Sequence, residues 1–247
     1  MGCQSLGMRY ATFLFLACTL AAHATAQDAL EPCRDRFDDR YHKAVTRVID
    51  KAVVKPARLM LTTVPSFEPE SGLRLVGNEI YHVEFPTSFW HESYPKGGTG
   101  RMDFTAPRIV GKVRRALLSA DVANRVERVF VNAIARSRES DAAGLDGVSY
   151  VITTPDNLCG YAWSPRKGSR NAQLIQLMQR LEKHTSFTTP VDLQRSEQSL
   201  IRLLNALERD QRPKAIRVMA TVASCARSSS SLCCGRVSEM KSMVPSI

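Results

Sequence analysis

"GLDGVSYVITTPDNLCGYAWSP", residues 144–165, alternates in twos on either side of a proline turn, and the reading of this stretch decides the fold. Val148, Tyr150 and Ile152 alternate with Ser149, Val151 and Thr153. After Thr154-Pro155-Asp156-Asn157, the residues Cys159, Tyr161 and Trp163 alternate with Gly160 and Ala162. A period of two is the mark of a strand, and proline at the second turn position fits a type I turn. The stretch therefore reads as a hairpin with an aromatic face rather than as a catalytic loop. Asp146, beside Gly147, has the composition of a turn residue; catalysis is the alternative for it.

Outward from the hairpin the pattern becomes helical. On its N-terminal side Ser119 is an N-cap, Asp121 falls in the first turn, and Val122, Val126, Val129, Phe130, Ala133 and Ile134 form one stripe. On its C-terminal side Leu174, Leu177, Met178 and Leu181 predict a helix after "SPRKGS". Thr189-Pro190 opens another, carrying Leu193, Leu200, Ile201, Leu204 and Leu207.

The first part of the chain adds strands and one more helix. Cys33, Phe37, Tyr41, Ala44, Val45, Val48, Ile49 and Ala52 recur at helical spacing until Pro56, which places His42 on the solvated face. "ARLMLTTV", 57–64, reads as a strand. Gly77-Asn78 joins "LRLV" to "EIYHVEF" as a two-residue hairpin, expected to have one apolar and one wet face. "RIVGKV", 108–113, is the expected return strand. The fold class these elements predict is α+β, a small antiparallel sheet of hairpins packed against about four helices, with residues 27–209 as a single domain. Residues 210–247, with a serine run and no periodicity, read as a disordered or non-native tail.

The N-terminus sets the compartment. From Met8 one basic residue precedes an apolar run, Tyr10–Ala22, and Ala24-Thr25-Ala26 closes it as a cleavage site, so residues 1–26 read as a signal peptide. The run is well short of the roughly 20 residues a membrane span needs. The expectation is a periplasmic or secreted protein with no transmembrane segment after signal cleavage; a lipoprotein anchored through Cys18 is the alternative. In an oxidising compartment Cys33 and Cys159, two cysteines left between leader and tail, are most simply a disulfide, the alternative being two buried thiols. The formal charge is +10, of which the tail, with six basic and two acidic residues, holds four. A modest excess of this kind favours anionic neighbours. No arginine-rich, aromatic-interleaved stripe points to nucleic acid, and none is expected as a partner.

The strand pair, the helix opening "LSADVANRVERVF", the "GLDGVSY" turn and the "WSP" segment resemble an uncharacterised group of bacterial proteins that share a GLDG-x-x-Y turn and a WSP segment. The resemblance spans roughly residues 57–185. It implies one domain, and no catalytic or binding residue follows from it.

Two groups of residues are candidates for chemistry. His82, Glu84, His91 and Glu92, with Asp103 nearby, could supply a general acid and base or bind a metal, although His82 and Glu84 also fit the wet face of a hairpin. Arg166, Lys167, Ser169 and Arg170 surround the start of a helix and have the composition of an anion-binding site; a plain N-cap at Ser169 is the alternative. The sequence has no HExxH, no GxSxG and no CxxC, and Gly97-Gly98-Thr99-Gly100 lacks the residues of a P-loop. No metal and no cofactor are expected. The functional expectation is an exported envelope protein that binds a protein or an anionic envelope component without catalysis. A small hydrolase or metal-dependent enzyme built on His82, Glu84, His91 and Glu92 is the alternative.

Overall fold

The computed structural model describes residues 29–34, 37, 39–95, 101–105, 109–139 and 146–211. The expected signal peptide, the Gly97–Gly100 loop, Gly144 and Leu145 of the opening turn and the expected tail beyond 211 lie outside these residues. Within them seven strands form an antiparallel sheet in the order β1-β7-β6-β2-β3-β4-β5. The strands are β1 Glu31–Pro32, β2 Leu59–Pro65, β3 Ser71–Val76, β4 Glu79–Glu84, β5 Lys112–Leu117, β6 Val148–Thr153 and β7 Cys159–Trp163. Five helices accompany them: α1 Arg40–Ala52, α2 Phe89–Glu92, α3 Ala120–Ala135, α4 Arg170–His184 and α5 Pro190–Gln211. The architecture is α+β, as the sequence predicts.

The sheet is covered on both faces. Leu59 and Leu61 of β2, Leu73 and Leu75 of β3, Ile80 of β4 and Ile152 of β6 point toward α3, α4 and α5 and join their leucine and valine stripes in one cluster. Full burial of such side chains is worth about 1.5–3 kcal/mol each. On the other face α1 lays Tyr41, Ala44, Val45 and Ile49 over Tyr81, Val83, Phe85 and Phe89. A smaller cluster of Cys33, Val151 and Tyr161 continues it toward β7. Helix α1 lies close to the sheet at Gly72, where an added Cβ would sit 2.7 Å from Ile49 Cδ1.

The caps behave as their chemistry dictates. Ser119 accepts from the Val122 amide and opens α3, Ser169 accepts from Ala172 and opens α4, and Thr189 accepts from Asp192 at the start of α5. Helix α1 differs from its sequence pattern. It begins at Arg40, capped by Asp39, and not near Cys33. The preceding stretch is instead drawn to the sheet edge, where Glu31 pairs with Tyr161 and Pro32 with Gly160. A proline is tolerated there because an edge strand needs no donor on its outer side. The same pairing brings Cys33 to Cys159, and the two form the expected disulfide with Cα atoms 5.5 Å apart.

Two further expectations are corrected. In the β3–β4 hairpin the register sets Leu73 opposite His82, Arg74 opposite Tyr81 and Leu75 opposite Ile80. Leu73, Leu75 and Ile80 therefore share one face while Tyr81 and Val83 lie on the other, and neither face is wet: Arg74 is 2% exposed and His82 is 6% exposed. Arg74 is held by Asp50 of α1 and by the Leu61 and Leu73 carbonyls, so its charge is compensated although it is buried. The return strand is β5 at 112–117, not 108–113. Its basic sequence lacks apolar alternation because it is an edge, paired on one side only with β4.

Candidate functional site

Where the N-terminus of α1 meets the start of β6 and the end of β7, the α1 face of the sheet opens into a cleft of about 760 Å3. Tyr41, Phe67, Trp90, Phe104 and Trp163 line it, with Asp39, Arg40, His42, Ser66, Asp146, Gly147 and Ser149 between them. The rings are set against one another edge-on or tilted: Tyr41 and Trp90 have centroids 5.2 Å apart, Trp90 and Phe104 6.2 Å. Such geometry suits the ring quadrupoles. Phe67 is 69% exposed and Trp90 38%, so part of the aromatic surface faces solvent.

A buried carboxylate builds the Trp90 wall. Glu70, just before β3, is fully buried and accepts from the Tyr41 hydroxyl at 2.5 Å, the Phe89 amide at 2.7 Å and the Trp90 amide at 3.2 Å. It thus ties α1 to the first turn of α2. Burial, and then the Glu70 carboxylate beside it, hold the Tyr41 hydroxyl well above the usual tyrosine range. Asp39 caps α1 and also meets the His42 ring, Oδ2 to Nδ1 at 2.7 Å. Burial raises the Asp39 carboxyl, but hydrogen bonds from the His42 amide and ring and from the Tyr41 amide outweigh it and leave the group below its ordinary value. His42 is not on a plain solvated face: its ring packs against Phe37 and Tyr41.

The opposite wall is the stretch that decided the fold. Ser66 Oγ donates to the Gly147 carbonyl and accepts from its amide, both at 3.0 Å. Val148 donates to Ser164 Oγ, and the Ser164 amide returns a bond to the Val148 carbonyl. Asp146-Gly147 and Trp163-Ser164 are therefore one unit in space, and the question posed by residues 144–165 has a double answer. Residues 146–165 form strands and a turn, and within them Asp146, Gly147, Ser149 and Trp163 also wall the cleft. Gly147 leaves no room for a side chain, since an added Cβ would meet Ser164 Oγ and, at 2.9 Å, the Trp163 ring. Gly147→Ala should cost about 1–3 kcal/mol through overpacking and shift Trp163 emission. Unchanged stability and spectrum in the variant would show that the two segments do not interlock.

The residues expected to carry chemistry are placed apart. His82 and Glu84 face the α4 side of the sheet, where Arg114 Nη2 lies 3.2 Å from His82 Nδ1 and 2.9 Å from Glu84. His91 and Glu92 are exposed on α2, which packs on the other face. Among the described residues no group of three or more His, Cys, Asp or Glu is arranged to hold a metal ion. Ser169 spends its hydroxyl on the Ala172 amide, Arg170 reaches the Leu207 carbonyl of α5, and Arg166 and Lys167 are exposed.

His82 and Glu182 of α4 share Arg114 and Glu84 as charged neighbours and have opposed pH responses. Burial, then Arg114, pushes His82 down to about 4. Burial, then Glu84, pushes Glu182 up to about 7. Because the folded His82 resists protonation, stability falls as pH drops from about 6.5 to 4. Because the folded Glu182 resists ionisation, stability also falls as pH rises from about 4.5 to 7. The two slopes oppose each other between about pH 4.5 and 6.5. Glu182→Gln should raise stability at pH 8 by up to about 3 kcal/mol, leave it unchanged near pH 4, and unmask the His82 slope in urea titrations. A variant whose stability difference does not vary with pH would sink this account.

No helix among the described residues is long and apolar enough to cross a membrane. No protein-family model matches the chain, and no curated protein matches it.

Proposed function

We propose that the protein is an exported envelope protein that acts by binding, and that its ligand occupies the aromatic cleft. The observation that carries this reading is the cleft itself: a concavity within the roughly 300–1,000 Å3 range of ligand pockets, lined by five rings and a few polar groups. The Cys33–Cys159 disulfide supports an oxidising compartment, in keeping with the signal-like run before it. The Asp39–His42 pair caps α1 and orients a ring of the wall, which suits recognition. A protein or an envelope component is the partner class, and catalysis is not part of the proposal.

The test uses a property of the composition. The chain has two tryptophans, Trp90 and Trp163, and both line the cleft, so intrinsic tryptophan fluorescence reports on it. Titration with a library of small aromatic and polar fragments should give saturable emission changes. Those changes should weaken at least tenfold in Phe67→Ala, an exposed ring whose loss leaves the fold intact. Binding detected by calorimetry without any change in tryptophan emission would place the ligand elsewhere and overturn the assignment.

A further inference from the structure

We infer that the cleft takes a saccharide chain of neutral pyranose rings; this rests on the binding reading above. The inference comes from sorting the polar groups of the cleft into those already engaged and those left over. The Tyr41 hydroxyl is donated to Glu70, so Tyr41 offers the cleft its ring. Both Asp39 oxygens are taken by His42, and the Ser66 hydroxyl by Gly147. The side chains of Arg40, Asp146 and Ser149 have no bonding partner among the described residues, and all three residues line the cleft. The remainder is a cationic donor at Arg40, an anionic acceptor at Asp146 and a hydroxyl at Ser149, beside the second ring nitrogen of His42 and the indole N–H groups of Trp90 and Trp163.

Few ligand chemistries use this set completely. An acyl chain would cover the rings but make no use of Arg40, Asp146 or Ser149. A polyanion would satisfy Arg40 and then face Asp146; a polycation would satisfy Asp146 and then face Arg40. A pyranose presents a flat C–H face to an aromatic ring and a rim of hydroxyls, each both donor and acceptor, to arginine and aspartate. Charge-assisted bonds to such hydroxyls are the stronger kind. The exposed rings fit the same occupant. Phe67 and Trp90 stand partly in solvent, and Tyr94, 54% exposed with its ring 6.4 Å from Trp90, carries the aromatic surface past the cleft. A platform that runs on beyond the cavity suits a chain of several rings better than one sugar.

The experiment titrates the whole protein, followed by tryptophan emission and calorimetry, with the β-1,4-linked tetramers of N-acetylglucosamine and of glucose, the corresponding monosaccharides, a uronic-acid tetramer, a tetra-alanine peptide and a short alkyl glycerol ether. At least one neutral tetramer should bind saturably, at least tenfold more tightly than its monosaccharide and than the uronic-acid tetramer. Trp90→Ala and Asp146→Asn should each weaken it tenfold or more, while Trp90→Phe, which keeps a ring, should retain most of the affinity and guards against a folding artefact. If the peptide or the alkyl ether binds in the cleft and no neutral tetramer does, the saccharide assignment is wrong and the binding reading survives. If nothing in the panel and nothing in the fragment library changes the emission, both fall. Tight binding of the uronic-acid tetramer alone would overturn the argument from balanced charge.

Discussion

Cys33→Ser is expected to destabilise the protein by about 5 kcal/mol, Cys159→Ser by a similar amount, and the double variant by little more than either. The bridge closes a loop with a sequence separation of 126 residues. In the chain-entropy model a loop of that length restricts the unfolded chain by about 5 kcal/mol. A loss of that size approaches the whole stability of many domains, which lies at about 5–15 kcal/mol. The folded state keeps other anchors for the segment around Cys33: Leu30 lies in the main core and accepts from the Arg138 amide, and Asn171 donates to the Ala29 carbonyl. Strand β1 makes two residue pairs with β7, and beyond the bridge the stretch leading to α1 rests on Phe37, whose ring meets Tyr161 and His42. Denaturant unfolding of the three variants and of the reduced wild type should give one common midpoint. Additive losses in the double variant would mean that the two positions contribute as separate buried residues and not through a bond.

Glu70→Ala is expected to cost about 4 kcal/mol and to open the cleft. Its carboxylate, itself fully buried, serves three donors: the Tyr41 hydroxyl and the Phe89 and Trp90 amides. Leaving a buried donor unsatisfied costs about 1–3 kcal/mol each, and a charged acceptor sits at the upper end of hydrogen-bond strength. Part of the loss returns as water enters the space left by the side chain. Tyr41→Phe removes one of the three bonds without stranding an amide, so it should cost only about 1 kcal/mol. The distinguishing readout is Trp90, whose amide Glu70 holds: its emission should move toward that of a solvated indole in Glu70→Ala and stay put in Tyr41→Phe. If both variants lose the same stability and neither shifts the spectrum, Glu70 does not organise the Trp90 wall.

The site was less legible in the sequence than the elements that hold it. The cleft draws on residues 39–42, 64–67, 90, 104, 146–149 and 163, six stretches with no shared periodicity. One local signal was present: an aspartate three residues before His42, at the N-cap spacing that α1 realises. It was hidden by the longer apolar pattern through Cys33 and Phe37, which runs at helical spacing but belongs to chain drawn toward the sheet edge. Glu70 gave no signal at all. A lone glutamate between a proline and a serine reads as loop, and only the approach of Tyr41 and the α2 amides makes it the acceptor for three donors.

Local decisions were legible in the sequence alone: strands at 148–153 and 159–163, the caps at Ser119 and Thr189, the leucine stripes of α4 and α5, and hence the α+β class. The sequence also pointed to the Cys33–Cys159 pair, through their count and an expected oxidising compartment. Those follow from interactions within a few residues, or from chemistry that needs no geometry. Only the tertiary structure decided which face each strand presents. The local Gly77-Asn78 turn sets Leu73 across from His82, but which side of the hairpin meets α1 and which meets α4 depends on the packing of the whole sheet. That choice buries Arg74 beneath α1 and His82 beside Arg114, and it leaves the aromatic face of β7 to form a wall of the cleft. The pairing energy that settles it is spread over seven strands, and no single stretch of sequence contains it.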